Sequence, residues 1–187
     1  MEPFFTTLFA VAVAEMGDRT QILSLMLAAT YRKPWAIVAG IAMATMVNHL
    51  AAGAAGIFLA QYLTPRLLYT VVAIALIGMA GWMLVPDESG KPPQLSNRGA
   101  FLATLVLFFL TEIGDKTQIA TAALAAAFRN LLAVVAGSTL GLLLADLPAV
   151  FLGSAFADRV PLKTVRLIAA VTFGVLGVVF AARALTG

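Results

Sequence analysis

Six stretches of this chain are apolar over the length that a bilayer crossing requires: Phe4–Thr30, Trp35–Gln61, Arg66–Val85, Ala100–Phe128, Leu131–Phe156 and Lys163–Leu185. A spanning helix needs about 20 mostly apolar residues, and each stretch supplies them. The breaks between them carry turn and charge signals, "YRKP" at 31–34, "YLTPR" at 62–66, "FRN" at 128–130 and "ADRVPLK" at 157–163. The longest polar stretch, "PDESGKPPQLSNRG" (Pro86–Gly99), holds three prolines and two glycines and reads as a flexible linker. The pattern predicts an all-α polytopic membrane protein with six transmembrane helices.

The linker separates two similar halves. A shift of 97 positions carries Glu15 to Glu112, Gly17 to Gly114, Asp18 to Asp115, Thr20 to Thr117 and Gln21 to Gln118. Without a gap it also carries Arg32 to Arg129, Gly40 to Gly137 and Gly56 to Gly153. A constant offset over this distance indicates an internal repeat. We expect a three-helix repeat over 1–85, a cytoplasmic linker over 86–99 and a second three-helix repeat over 100–187, forming one transport domain. Three is odd, so the second copy must enter the membrane from the opposite side, giving two inverted repeats, a plan common in secondary transporters. The four glycines of the last two pairs are expected to let helices pack closely.

Composition agrees with a lipid solvent. The chain is 61% hydrophobic and 11% charged over 187 residues, with mean hydropathy +0.98, whereas a soluble domain is about half apolar and a quarter charged. Cysteine is absent, which removes disulfides, thiolate metal ligands and a cysteine nucleophile. The net charge of +3 is spread over short loops, which speaks for topology and against nucleic acid. Seven of the 12 Lys and Arg residues lie on the face of loops one, three and five, and three (Arg66, Arg129, Arg183) on the other. The excess places the linker in the cytoplasm and both termini outside. The first 20 residues lack the basic start of a signal peptide, so this segment is expected to stay as the first membrane helix.

Candidate chemistry sits where lipid should forbid it. "EMGDRTQ" (15–21) and "EIGDKTQ" (112–118) fall near the middle of the first and fourth apolar stretches. A charge at that depth costs about 2.5–3.5 kcal/mol on insertion scales. Glu15 with Arg19, and Glu112 with Lys116, are four apart and are expected to pair on one helix face. Glu15 and Asp18 are three apart, so both carboxylates can face one cavity. Gly17 and Gly114, with Thr20 and Thr117 able to bond freed carbonyls, make a broken helix plausible at each motif. Inverted copies would bring together four carboxylates (Glu15, Asp18, Glu112, Asp115), two threonines and the glutamines Gln21 and Gln118. Such an oxygen-only set suits a hard divalent cation, calcium, manganese or magnesium. Four carboxylates against Arg19 and Lys116 leave a charge of about −2 if all ionise, which one divalent ion neutralises. Without it, protons are expected to take its place, so that metal and proton compete for one site. Glu15 and Glu112 are the expected proton carriers. Within the second and fifth segments, Asn48, His49 and Asp146 are candidates for a relay, for support behind the ligands or for ligation itself, with His49 and Asp146 equivalent under the 97-residue shift. The plainer alternatives are a helix-bridging Asn48, a packed His49 and purely structural intramembrane pairs.

A Glu-x-Gly-Asp-(Lys/Arg)-(Thr/Ser) motif in each half, "EMGDRT" and "EIGDKT", resembles the signature of the GDT-one family of divalent cation/proton antiporters, and the resemblance covers nearly the whole chain. It implies that Glu15, Asp18, Glu112 and Asp115 hold the transported ion, with Thr20, Thr117, Gln21 and Gln118 around it. The short loops and cysteine-free chain fit a bacterial member in the inner membrane, for which manganese export is the implied task, with calcium as the other ion. No resident cofactor is expected, and the partners are the bilayer, the ion and protons. Two competing readings are a small organic solute or amino-acid exporter anchored on Arg19 and Lys116, and a non-transporting scaffold. No nucleophile–base pair or phosphate loop supports an enzyme.

Overall fold

The protein's structure, a computed structural model, describes residues 2–85, 99–152 and 161–186. The linker up to Arg98, Gly153 and Arg159 lie outside the described residues. Those described form eight helices: α1 (Pro3–Glu15), α2 (Arg19–Tyr31), α3 (Pro34–Ala60), α4 (Pro65–Met83), α5 (Ala100–Glu112), α6 (Lys116–Phe128), α7 (Leu131–Leu152) and α8 (Leu162–Thr186). Four of them, α3, α4, α7 and α8, are long and apolar enough to cross a membrane. The apolar stretches Phe4–Thr30 and Ala100–Phe128 each hold two helices of 13 residues, broken at the motif where Gly17 and Gly114 make a break plausible. Such a helix is about 20 Å long, short of the roughly 30 Å hydrocarbon core. The order short, short, long, long therefore occurs twice.

Local sequence explains the ends. Proline opens α1, α3 and α4 within their first turn, where its missing N–H costs no hydrogen bond. α2 and α6 both end on a left-handed arginine, Arg32 (φ 51°) and Arg129 (φ 52°), whose N–H closes on Ala28 O and Ala125 O.

The two halves interlock. α1 packs along α7, and α5 packs along α3; α2 also lies on α7 and α6 on α3, while α3 and α7 pack on each other. Small residues permit this. A Cβ on Gly40 would stand 2.7 Å from Thr104 Cβ on α5, and one on Gly141 would stand 2.6 Å from the Leu8 carbonyl of α1. Gly56 and Gly137 likewise abut the backbone of α6 and α1, so the expectation of close helix contacts holds at every described member of the set. α4 and α8 pack chiefly on each other and reach the remainder through α6 and α1. The buried apolar residues divide accordingly. One group joins α4, α6 and α8 around Leu76, Phe173 and Phe180, and another joins α2, α3, α5 and α7 around Leu27, Ile41 and Phe108. Large apolar side chains such as Trp35, Ile74, Leu132, Val171 and Val178 point outward, as lipid contact requires. The molecule is a helical, multi-pass membrane protein.

Candidate metal centre

Both motifs fold into the same turn. At the first, Met16 (φ −65°, ψ 118°) precedes Gly17 (φ 82°), and Asp18 N–H donates to Glu15 O at 3.1 Å. At the second, Ile113 (φ −62°, ψ 119°) precedes Gly114 (φ 76°), and Asp115 N–H donates to Glu112 O at 3.1 Å. These are the dihedrals of a type II turn, which requires a residue at positive φ in its third position and hence glycine. The aspartate that follows caps the next helix: Asp18 Oδ1 accepts from Arg19 N at 2.7 Å, and Asp115 Oδ2 accepts from Thr117 N at 3.3 Å. The glutamines brace the turn, with Gln21 Oε1 accepting from Gly17 N at 3.0 Å and Gln118 Oε1 from Gly114 N at 2.8 Å. Glu-x-Gly-Asp is thus a helix stop, a turn and a helix start in four residues.

The turns meet. One carboxylate oxygen each from Glu15, Glu112 and Asp115 lies within 4.8 Å of the other two. Glu15 and Glu112 are fully buried, and Asp115 is nearly so. Glu15 Oε2 accepts from the Thr20 hydroxyl at 3.0 Å, and Asp115 Oδ2 from the Thr117 hydroxyl at 3.3 Å. Among the described residues Glu15 Oε1 and both Glu112 oxygens have no hydrogen-bond partner. Buried oxygens in that state are exceptional and call for a counter-charge or proton. Three of the four expected carboxylates converge this closely. Asp18 is near enough to interact electrostatically with Glu15 and Glu112, and it also lines a small pocket with Met83, Lys116 and Arg166.

The expected pairs within each motif do not form. The turn separates Glu15 from Arg19 and Glu112 from Lys116, so neither pair shares one continuous helix and the four-residue spacing loses its meaning. Arg19 instead crosses to the other half, where its Nη2 donates to Asp115 Oδ1 at 3.2 Å and to Thr111 O at 3.0 Å. Lys116 Nζ lies 5.9 Å from the centre of the Trp82 ring.

The remaining candidates surround this centre. Asn48 donates to Phe109 O at 3.0 Å, bridging α3 to α5. Asp146 on α7 is fully buried beside Ser24, and neither of its oxygens meets the geometry of a hydrogen bond. Gln21 Nε2 donates to the neighbouring Ala145 O at 2.7 Å. His49 is also fully buried, with neither ring nitrogen partnered among the described residues. Ser24 and Leu162, whose side chain fills the space where a Cβ on Gly17 would stand, escaped the sequence reading, because nothing in their local pattern marks them. The type II turn did leave a signal, glycine directly before a capping aspartate.

Comparison with known proteins identifies the family. The family model described as divalent cation/proton antiporter GDT1 matches residues 3–91 and 100–187. A Vibrio cholerae protein named "Putative manganese exporter" is 47% identical over 164 residues, which is 87% of this chain and 82% of that protein. A GDT1-like protein of Synechocystis is 30% identical over 94% of this chain and 95% of its own length. GDT1-like protein 3 of Arabidopsis thaliana is 24% identical over 92% of this chain and 68% of its own. No solved structure matches. With both halves matched and the doubled acidic turn at its centre, the chain belongs to the GDT1 family of divalent cation/proton antiporters.

Proposed function

We propose that this protein exports manganese across the bacterial plasma membrane in exchange for protons, with Glu15, Glu112 and Asp115 as the anionic core of the ion site. The observation that carries the reading is the meeting of three buried carboxylates from two chain segments, with Glu112 unpartnered. Oxygen donors of this kind suit a hard divalent ion. Manganese is favoured over calcium by the name borne by the 47% identical Vibrio protein. Thr20 and Thr117 orient the carboxylates they bond, and Gln21 and Gln118 keep the turns closed around them. Glu15 and Glu112 carry the protons when the ion has left.

In this reading each pair of short helices crosses the membrane as one broken helix. That gives six crossings and two inverted repeats, 1–85 and 100–187, with the linker cytoplasmic and the termini outside. Half-helix ends direct N–H groups and carbonyls at the midplane, the arrangement that transporters use for ions. The interlocked packing does not favour a rocking of one half against the other. The separable unit is the α4–α8 pair, which covers the turn at Gly17 through Leu162 and Met83. Its main contacts are with α1 and α6, the outer half-helices in this orientation, and it leaves α2 and α5 largely uncovered among the described residues. The conformation then faces the cytoplasm, and movement of α4–α8 across the bundle gives alternating access. Asp18 joins the site in the other state.

The amino-acid exporter reading needs Arg19 and Lys116 as anchors for a substrate carboxylate, whereas here Arg19 contacts Asp115 and Lys116 lies toward the Trp82 ring. The test is metal-driven proton movement in proteoliposomes, with manganese, calcium, magnesium and lysine compared in wild type, Glu15→Gln and Glu112→Gln. Proton movement with manganese that both variants abolish is the expected result. Movement with lysine alone overturns the substrate, and manganese-driven movement that survives both changes overturns the site.

A further inference from the structure

The two motif cations occupy equivalent positions but differ in use. Lys116 is 5% exposed, stacked toward Trp82. The Arg19 side chain is 44% exposed, yet it reaches Asp115, whose side chain is 6% exposed. Arg19 therefore enters the carboxylate cluster from the accessible side. Its hold is loose. One nitrogen, Nη2, serves both Asp115 Oδ1 and the Thr111 carbonyl, and the 3.2 Å contact is longer than the 2.7–2.9 Å of a strong charge-assisted bond. The carboxylate it touches is one of the three that converge. A divalent ion among these oxygens would stand within a few ångströms of the guanidinium, where like charges in a poorly screened site repel strongly.

We propose that Arg19 is a tethered counter-ion that occupies Asp115 when the site is free of metal and competes with the cargo for it. The proposal rests on the ion-site reading above. Arg19 keeps the empty site from holding three uncompensated carboxylates, and as the ion binds, the long exposed side chain withdraws without disturbing α2. On release the arginine returns and helps expel the ion. Such an internal competitor lowers affinity while raising turnover.

The test is equilibrium titration of the purified full-length protein with manganese alone at fixed pH and ionic strength, free ion being read by electron paramagnetic resonance. Flux in proteoliposomes is measured in parallel. Arg19→Gln is expected to bind manganese roughly tenfold more tightly, with KM and kcat for transport falling together, because one positive charge has left the site. Arg19→Lys keeps the charge and is expected within about threefold of wild type. Arg19→Met removes the charge but keeps the apolar stem, and gives the same comparison should the glutamine variant not fold. Affinity unchanged or weakened in neutral variants that melt like wild type overturns the proposal and leaves Arg19 a positioning residue for Asp115. A wild-type protein that binds no manganese overturns the ion-site reading and this proposal together, and is recognised without any variant.

Discussion

The turns at Gly17 and Gly114 have nearly the same dihedral angles and opposite surroundings. A Cβ on Gly17 would run into the side chain of Leu162 from α8, whereas one on Gly114 meets nothing within 4 Å among the described residues. The aspartate after the covered turn lies in a pocket with Lys116 and Arg166, and the aspartate after the open turn lies in the carboxylate cluster, touched by Arg19. Repeated sequence sets the backbone of each turn. α4 and α8 cover one turn and not the other, so one duplicated motif yields two different environments.

The largest effect separates cluster members from the aspartate outside it. Changing groups that merely support metal ligands costs about 10–100-fold in affinity, so losing a ligand is expected to cost at least about 100-fold. Glu112→Gln and Asp115→Asn should each weaken manganese binding by that much in equilibrium titrations, and Asp18→Asn by less than about tenfold. Equal losses at Asp18 and Asp115 would erase the asymmetry and restore the four-carboxylate site expected from the sequence.

A smaller effect, on stability, reports the covering of the first turn. An alanine at positive φ costs about 1–2 kcal/mol, which is the whole cost expected for Gly114→Ala. Gly17→Ala adds overpacking against Leu162, about 1–3 kcal/mol more. Thermal unfolding in detergent should therefore rank Gly17→Ala below Gly114→Ala and both below wild type, with Leu162→Ala recovering part of the first loss. Identical melting temperatures for the two glycine variants would mean that α8 does not rest on the first turn.

Much of the fold was legible because lipid simplifies the code. Long apolar runs, proline at helix starts and a constant 97-residue offset placed the helices and paired the motifs. What misled was helical periodicity carried through a glycine. The spacing of Glu15 to Arg19 predicts a pair only on an unbroken helix, and the turn at Gly17 sends Arg19 to the other half. Nor could the repeat disclose its own asymmetry. Equal motifs read as equal sites, and only the packing of α4 with α8 makes Asp18 and Asp115 differ. His49 stood out as a polar residue within an apolar segment and Asp146 as its equivalent under the offset, but Ser24 beside Asp146 came from tertiary packing.

The smallest expected difference tests whether the bracing glutamines share the asymmetry. Gln21 is buried and makes two bonds, accepting from Gly17 N and donating to Ala145 O at 2.7 Å, so it ties the first turn to α7 next to Asp146. Gln118 accepts from Gly114 N in an exposed hydrogen bond. Leaving buried groups unpaired costs about 1–3 kcal/mol each, whereas an accessible hydrogen bond contributes about 0.5–1.5 kcal/mol. Gln21→Leu should accordingly lower the melting temperature more than Gln118→Leu, by the equivalent of about 1–2 kcal/mol. The ranking would reverse if the conformation with the Gly114 turn covered were the more populated one in detergent. Repeating both melts with manganese present distinguishes that case, because a ligand that binds one conformation better shifts the population toward it and with it the cost of each substitution.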